Sequence, residues 1–128
     1  MTEKDKQILI IDPNHDERMV MASFLRSENY AVDTGSSLTD AIKKLSHNSV
    51  SCMILDIDLP EMKGYEAVSI LKNINPALKI IMTTKSNTRD LEAKVREQDI
   101  FFYFIKSFGK DELKMAIHNA FNNKLTNI

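Results

Sequence analysis

The sequence holds a single cysteine, Cys52, among 128 residues, so no internal disulfide can form. A lone thiol inside an apolar run fits a reducing, cytoplasmic setting. Charge of one sign is also lacking: 17 Lys and Arg against 18 Asp and Glu leave a formal net charge of −1. A domain that held nucleic acid by bulk charge would be strongly basic, and this one is not. No apolar stretch approaches the roughly 20 residues that cross a bilayer. The polar start, MTEKDKQ, has no secretory character. Repeats, low-complexity tracts and internal linkers are missing as well. What is present is a large apolar share, 43% of residues, in a length that suits one domain with one core.

Four short runs are apolar on both faces: ILII (8–11), CMIL (52–55), KIIM (79–82) and FFYFI (101–105). That pattern belongs to central parallel strands covered by helices on both sides. A fifth run, YAVDT (30–34), is more alternating and reads as an edge strand. Helical spacing fills the gaps. Residues 15–28 carry Val20, Met21, Phe24 and Leu25 in one stripe, and Asn29 follows as a left-handed helix end. Residues 38–47, 64–74 and 110–122 carry comparable stripes that include Leu45, Leu71 and Ile117. The segment 88–98 offers little beyond Leu91 and Val95, so its helix is expected to be the most loosely held. Five β-α units with short connections imply an α/β, doubly wound parallel sheet with right-handed crossovers. The expected single domain occupies 1–128, with its core over 7–121 and a tail over 122–128.

In such a sheet the site lies at the carboxyl ends of the strands, near the switch in strand order. Asp12 follows the first strand; Asp56 follows the third, with Asp58 two residues on. Thr83 and Thr84 follow the fourth, and Lys106 the fifth. Gathering acids in one place is costly unless a cation offsets them. Carboxylates with few neutral ligands suit a hard ion such as Mg²⁺. An Asp beside a metal and a lysine can attack phosphorus and form an aspartyl phosphate, with both cations offsetting charge on the transferring group.

The stretches ILIIDPNHDER, CMILDIDLPEMKGYEAV, KIIMTT and YFIKSF together resemble the receiver domain of two-component response regulators, over residues 7–121. The second stretch is the most specific: D-x-x-x-P, with Gly64 eight residues after Asp56. The resemblance implies a flavodoxin-like five-stranded sheet in the order 2-1-3-4-5 and a signalling module rather than an enzyme. It implies that Asp56 is the phospho-acceptor, and that Asp12, Asp56 and the Asp58 backbone carbonyl hold Mg²⁺. Thr84 falls at the switch hydroxyl, Lys106 at the lysine that contacts the phosphoryl oxygens, and Tyr103 at the aromatic whose rotamer reports activation. The implied partners are a histidine kinase or phosphotransfer protein as donor, and a downstream protein or second copy at the face around Tyr103. No residues remain for an output domain, so a stand-alone or excised receiver without direct DNA binding is expected.

Three positions depart from that pattern. Pro13 stands where the family usually has a second, metal-binding acid, and proline supplies neither a ligand nor an N–H; Asn14 or Asp12 is the candidate to compensate. Lys85 follows Thr84, where a small residue is usual. Ser107 follows Lys106 in place of a proline, so a trans peptide or a rearranged loop is expected there. These departures support an alternative, an interaction module of the same fold that works without phosphate. A third reading takes the DID of 56–58 for the D-x-D of a haloacid-dehalogenase-like phosphatase, although that family places the motif on its first strand. Plainer roles are expected elsewhere. The Asp58 carboxylate can simply be solvated, and Thr83 is the more structural of the two threonines. His15, His47 and His118 read as surface residues, Cys52 and the methionines as core filler. Most of FFYF (101–104) is core, with Phe101 and Phe102 as candidates to enlarge an apolar partner face beside Tyr103.

Overall fold

The computed structural model describes residues 7–107 and 109–122; the expected tail, apart from Asn122, lies outside them. Strands β1 (Gln7–Ile11), β2 (Ala31–Gly35), β3 (Cys52–Asp56), β4 (Lys79–Thr84) and β5 (Phe102–Ile105) alternate with five helices. These are α1 (His15–Ser27), α2 (Leu38–His47), α3 (Gly64–Ile74), α4 (Arg89–Arg96) and α5 (Lys110–Phe121). All strand pairs are parallel, in the order β2-β1-β3-β4-β5. The order reverses between β1 and β3, which opens a crevice at their carboxyl ends.

Strand alternation splits the core into two layers. Leu9, Ile11, Met53, Leu55, Ile80, Met82 and Tyr103 meet Leu45 of α2, Leu71 of α3 and Val95 of α4. Ile8, Ile10, Cys52, Ile54, Ile81, Phe102 and Phe104 meet Leu25 of α1 and Ile117 of α5. The two-faced apolar runs are thus explained, because every central strand is covered on both sides. Val95 is the one fully buried side chain of α4, in keeping with its thin apolar stripe. Asn29 adopts φ 70° and ends α1 in the left-handed region. Burial pushes the Cys52 thiol up to about 12, which leaves it protonated and inert. Among the described residues no helix is long and apolar enough to cross a membrane.

Two expectations need correction. β4 runs on to Thr84, so both threonines lie within the strand rather than after it. Phe102 does not extend a face beside Tyr103: it is buried in the α1/α5 layer, on the opposite side of the sheet. Phe101 is half-buried under the Lys79 ammonium, 5.8 Å from its ring centroid.

Candidate functional site

Alternation along four strands decides what reaches the crevice. Ile8, Ile10 and Asp12 share one side; so do Cys52, Ile54 and Asp56, then Ile81 and Thr83, then Phe102, Phe104 and Lys106. Each series points toward the α1/α5 layer and ends in a polar group at the same edge. Thr83 pairs in register with Asp56, and its hydroxyl lies 3.5 Å from Asp56 Oδ1. Thr84 belongs to the other series, after Ile80 and Met82, and its hydroxyl donates to the Ser86 carbonyl at 2.9 Å. Thr83 is therefore the threonine beside Asp56 in the unmodified protein, and Thr84 lies one residue further along the strand.

Lys106 is the hub. Its ammonium lies 2.7 Å from Asp12 Oδ2, 2.6 Å from Asp56 Oδ1 and 2.5 Å from Glu17 Oε1. A lysine has three N–H donors, and here each meets a different carboxylate. Asp12 and Asp56 are 1% and 6% exposed, and that cation is the counter-charge that offsets the cost of burying them. Their other oxygens are also met: the Asn14 amide donates to Asp12 Oδ1 and the Asp58 amide to Asp56 Oδ2, both at 2.9 Å. Arg18 donates to the Asp12 carbonyl at 2.6 Å and fixes α1 to the end of β1. Burial lifts the Asp56 carboxyl above its ordinary value, although Lys106 and the Asp58 amide pull the other way. Burial alone would lower the Lys106 value, but the bonds to Asp12, Asp56 and Glu17 outweigh it and raise it.

Glu17 is the pocket residue that the sequence reading missed. It lies in the first turn of α1, a favourable place for an acid at the positive end of a helix. Partial burial pushes its carboxyl up, but Lys106 and Lys85 more than reverse this and hold it below the ordinary value. Lys85 is 3.0 Å from Glu17 Oε2, so the carboxylate bridges two ammonium groups. A signal existed: Asn14 followed three residues later by Glu17 fits the start of a helix. Asn14 does cap α1 by accepting the Glu17 amide at 2.9 Å, which commits it to the helix rather than to the lost acid's role.

The remaining candidates are placed less centrally. Asp58 sends its carboxylate outward to Lys63 at 2.7 Å, leaving only its backbone to the pocket. This does not suit a D-x-D general acid–base pair. Tyr103 is 7% exposed, and its hydroxyl donates to Asn87 Oδ1 at 2.7 Å on the far side of the sheet. Asn87 in turn donates to Glu92 of α4 at 3.0 Å. The Lys106–Ser107 peptide is trans. His15, His47 and His118 are exposed. Gly64 fits where no side chain could, since a Cβ there would sit 2.5 Å from the Asp56 carbonyl oxygen.

A cavity of about 170 Å³ opens over these groups, lined by Asp12, Pro13, Glu17, Asp56, Lys85 and Lys106 among others. Its oxygen donors are of the class Mg²⁺ takes, with Asp12, Asp56 and Asp58 among the lining residues. The set is thin, because Pro13 adds no donor and the carboxylates are turned onto Lys106. Among the described residues no three acids, histidines or cysteines are grouped to hold a metal by themselves. Such a set suits a weak site in which water supplies most of the ligands.

Comparison with known proteins bears on the same residues. The family model described as "Response regulator receiver domain" matches residues 8–118. The transcriptional regulatory protein GlrR of Escherichia coli is 25% identical over 94% of this chain, which covers 27% of that protein. The response regulator protein TodT of Pseudomonas putida is 26% identical over 94% of this chain, which covers 53% of TodT. The chain thus spans between about a quarter and about half the length of these curated relatives. A CheY-like receiver domain from Methanospirillum hungatei superposes with a TM-score of 0.85 at 22% identity, over 92% of this chain and 94% of that one, which speaks for the fold. TrrA from Thermotoga maritima, solved in complex with Mg(2+)-BeF, is 29% identical with a TM-score of 0.79, over 90% of this chain and 98% of that one. A buried acid at the end of each of two neighbouring strands, a lysine bridging them and a family match over nearly the whole sheet agree: the chain belongs to the response regulator receiver domains of two-component systems.

Proposed function

We propose that the domain receives a phosphoryl group on Asp56, from a histidine kinase or phosphotransfer protein, and passes the signal to a protein partner. The observation that carries this is Asp56 at the floor of an open cavity, its carboxylate 2.6 Å from the Lys106 ammonium. An Asp56 oxygen forms the new O–P bond as the donor's N–P bond breaks, and the electron pair stays on the donor imidazole nitrogen. Lys106 and the Asp58 amide already hold the carboxylate, so the nucleophile is oriented before the donor arrives. Mg²⁺, held weakly by Asp12, Asp56 and the Asp58 carbonyl, would neutralise charge on the phosphoryl oxygens. Thr83, rather than Thr84, is the hydroxyl assigned to the phosphoryl group, because it faces Asp56. The modification adds up to about two negative charges beside Lys106 and Lys85.

Output would leave by the other side of the sheet. Thr84 and Tyr103 face the α3/α4 layer, where the Tyr103–Asn87–Glu92 chain ties β5 to α4. Repacking there would change the surface offered to a partner or to a second copy. A phosphate-independent interaction module is the second reading, favoured by Pro13 and by a Lys106 with no free donor. Intact-mass spectrometry after incubation with acetyl phosphate and Mg²⁺ separates the two. One labile phosphoryl group on wild type and none on Asp56→Asn is the expected result. No adduct, even with a cognate kinase, would favour the second reading.

A further inference from the structure

The three donors of the Lys106 ammonium are already engaged, so a phosphoryl oxygen can bind it only if one carboxylate leaves. The candidates are unequal. The side chains of Asp12 and Asp56 are 2% and 9% exposed, and Asp56, modified on its other oxygen, keeps Oδ1 as an acceptor for Lys106. Releasing Asp12 would strand a buried carboxylate. Glu17 is 26% exposed, and its second oxygen is already on Lys85, whose side chain is 69% exposed. On leaving Lys106 it keeps one cation and regains water. We propose that Glu17 is the displaceable acid of this pocket: it occupies one Lys106 donor in the unmodified protein and yields it to the incoming phosphoryl oxygen while staying on Lys85.

The inference rests on Asp56 being the phospho-acceptor. It gives the acid on α1 a different task from the acid that Pro13 replaces. Glu17 does not assist the phosphoryl group; it competes with it for Lys106. Taking the carboxylate away therefore favours an anion in the pocket, both by freeing a donor and by removing a like charge. Were Glu17 a metal ligand instead, the same substitution would act in the opposite direction.

The test is the affinity of the full chain for beryllofluoride, a phosphoryl mimic, at saturating Mg²⁺, by isothermal titration calorimetry and ¹⁹F NMR. Wild type, Asp56→Asn, Glu17→Gln and Lys85→Met are compared. Glu17→Gln is expected to bind about tenfold more tightly, the scale of one charge-assisted hydrogen bond at a partly exposed site. In wild type the ¹³C resonance of the Glu17 carboxyl is expected to shift as the adduct forms. Lys85→Met is expected to weaken binding, and to do so far less in the Glu17→Gln background, because Glu17 then has nowhere else to go. Binding by Glu17→Gln alone would also support the proposal. Equal or weaker binding by Glu17→Gln, with wild type binding normally, overturns it and leaves the phospho-acceptor reading standing. A Lys85→Met loss of the same size in both backgrounds overturns the part played by Lys85. If neither wild type nor Glu17→Gln binds, both readings fall together.

Discussion

Replacing Lys106 with methionine removes one ammonium but keeps the length and apolar stem of the side chain. Asp12 and Asp56, 1% and 6% exposed, then face each other without a counter-charge. Removing one partner of a buried ion pair costs about 3–5 kcal/mol, and here several pairs share the one cation. A second route limits the loss, because a stranded carboxyl can take up a proton. From an ordinary Asp value of 3.8 that costs about 4 kcal/mol near pH 7, at about 1.4 kcal/mol per pH unit. The loss near pH 7 should therefore settle at about 3–4 kcal/mol. Near pH 5 the protonation route costs less than about 2 kcal/mol, and the loss shrinks with it. Wild type behaves differently on this side of neutrality. Its Lys106 value is raised above 10.5, so that residue's contribution is fully present below 10.5 and fades only as pH rises through the folded value. Urea unfolding followed by circular dichroism at the two pH values reads both effects. With a slope of about 1–3 kcal/mol per molar, the midpoint should fall by about 1 M or more near pH 7. A loss below about 1 kcal/mol, or one that does not change with pH, would refute the view that a single ammonium holds these acids.

Gly64→Ala should destabilise by about 1–3 kcal/mol, although alanine is the better helix former by up to about 1 kcal/mol. The new Cβ would sit 2.5 Å from the Asp56 carbonyl oxygen and 3.0 Å from Ile57 Cα, backbone atoms of a central strand and its exit that cannot readily yield. Thermal unfolding checks it, and an unchanged or higher midpoint would contradict the contact. Glu61 caps α2 from a distance: its carboxylate accepts the Leu38 and Thr39 amides at 2.9 and 3.0 Å. The Thr39 and Leu38 amides hold its carboxyl down to about 2, against an ordinary 4.5. The folded value lies below the unfolded one, so the stabilisation is present above 4.5 and lost as pH falls toward 2. Solvent screening keeps it to about 1 kcal/mol or less. The stability gap between wild type and Glu61→Ala, followed by chemical unfolding, should close over that range; a gap independent of pH would count against the cap. Thr83→Val should weaken beryllofluoride binding by about tenfold or more, the scale of one hydrogen bond to a charged group, while Thr84→Val should leave it nearly intact. The reverse ranking in calorimetry would restore Thr84 to the pocket.

Much of the fold was legible because its strands are buried on both faces and its helices on one. Apolar runs such as ILII and CMIL have few other uses in a short chain, and they fell within a residue of β1 and β3. The strand order, by contrast, came from the resemblance, since periodicity does not say which strand lies beside which. The fourth strand was cut short at Met82 because threonine is polar. It is also β-branched and at home in a sheet, so β4 continues through both threonines. Glu17 was missed for another reason. Its neighbours in the pocket come from strand ends, and reading strand ends alone cannot show a helix side chain reaching back over them.

The two threonines show what alternation determines here. Counting back in twos from Thr83 gives Ile81, and from Asp56 gives Ile54 and Cys52, all packed against α1 and α5. Counting back from Thr84 gives Met82 and Ile80, packed with Tyr103 against the other helices. Adjacent residues of one strand thus belong to two different compartments. The first holds the charged pocket; the second holds Tyr103 and its link through Asn87 to α4. Between these compartments lie the buried apolar side chains of the central strands. The Thr83–Thr84 peptide crosses from one to the other in a single step and leads directly into Lys85, Ser86 and Asn87. Lys85 reaches the pocket through Glu17, Ser86 holds the Thr84 hydroxyl, and Asn87 holds Tyr103. Residues 83–87 thus make contacts in both compartments, joined by one continuous backbone.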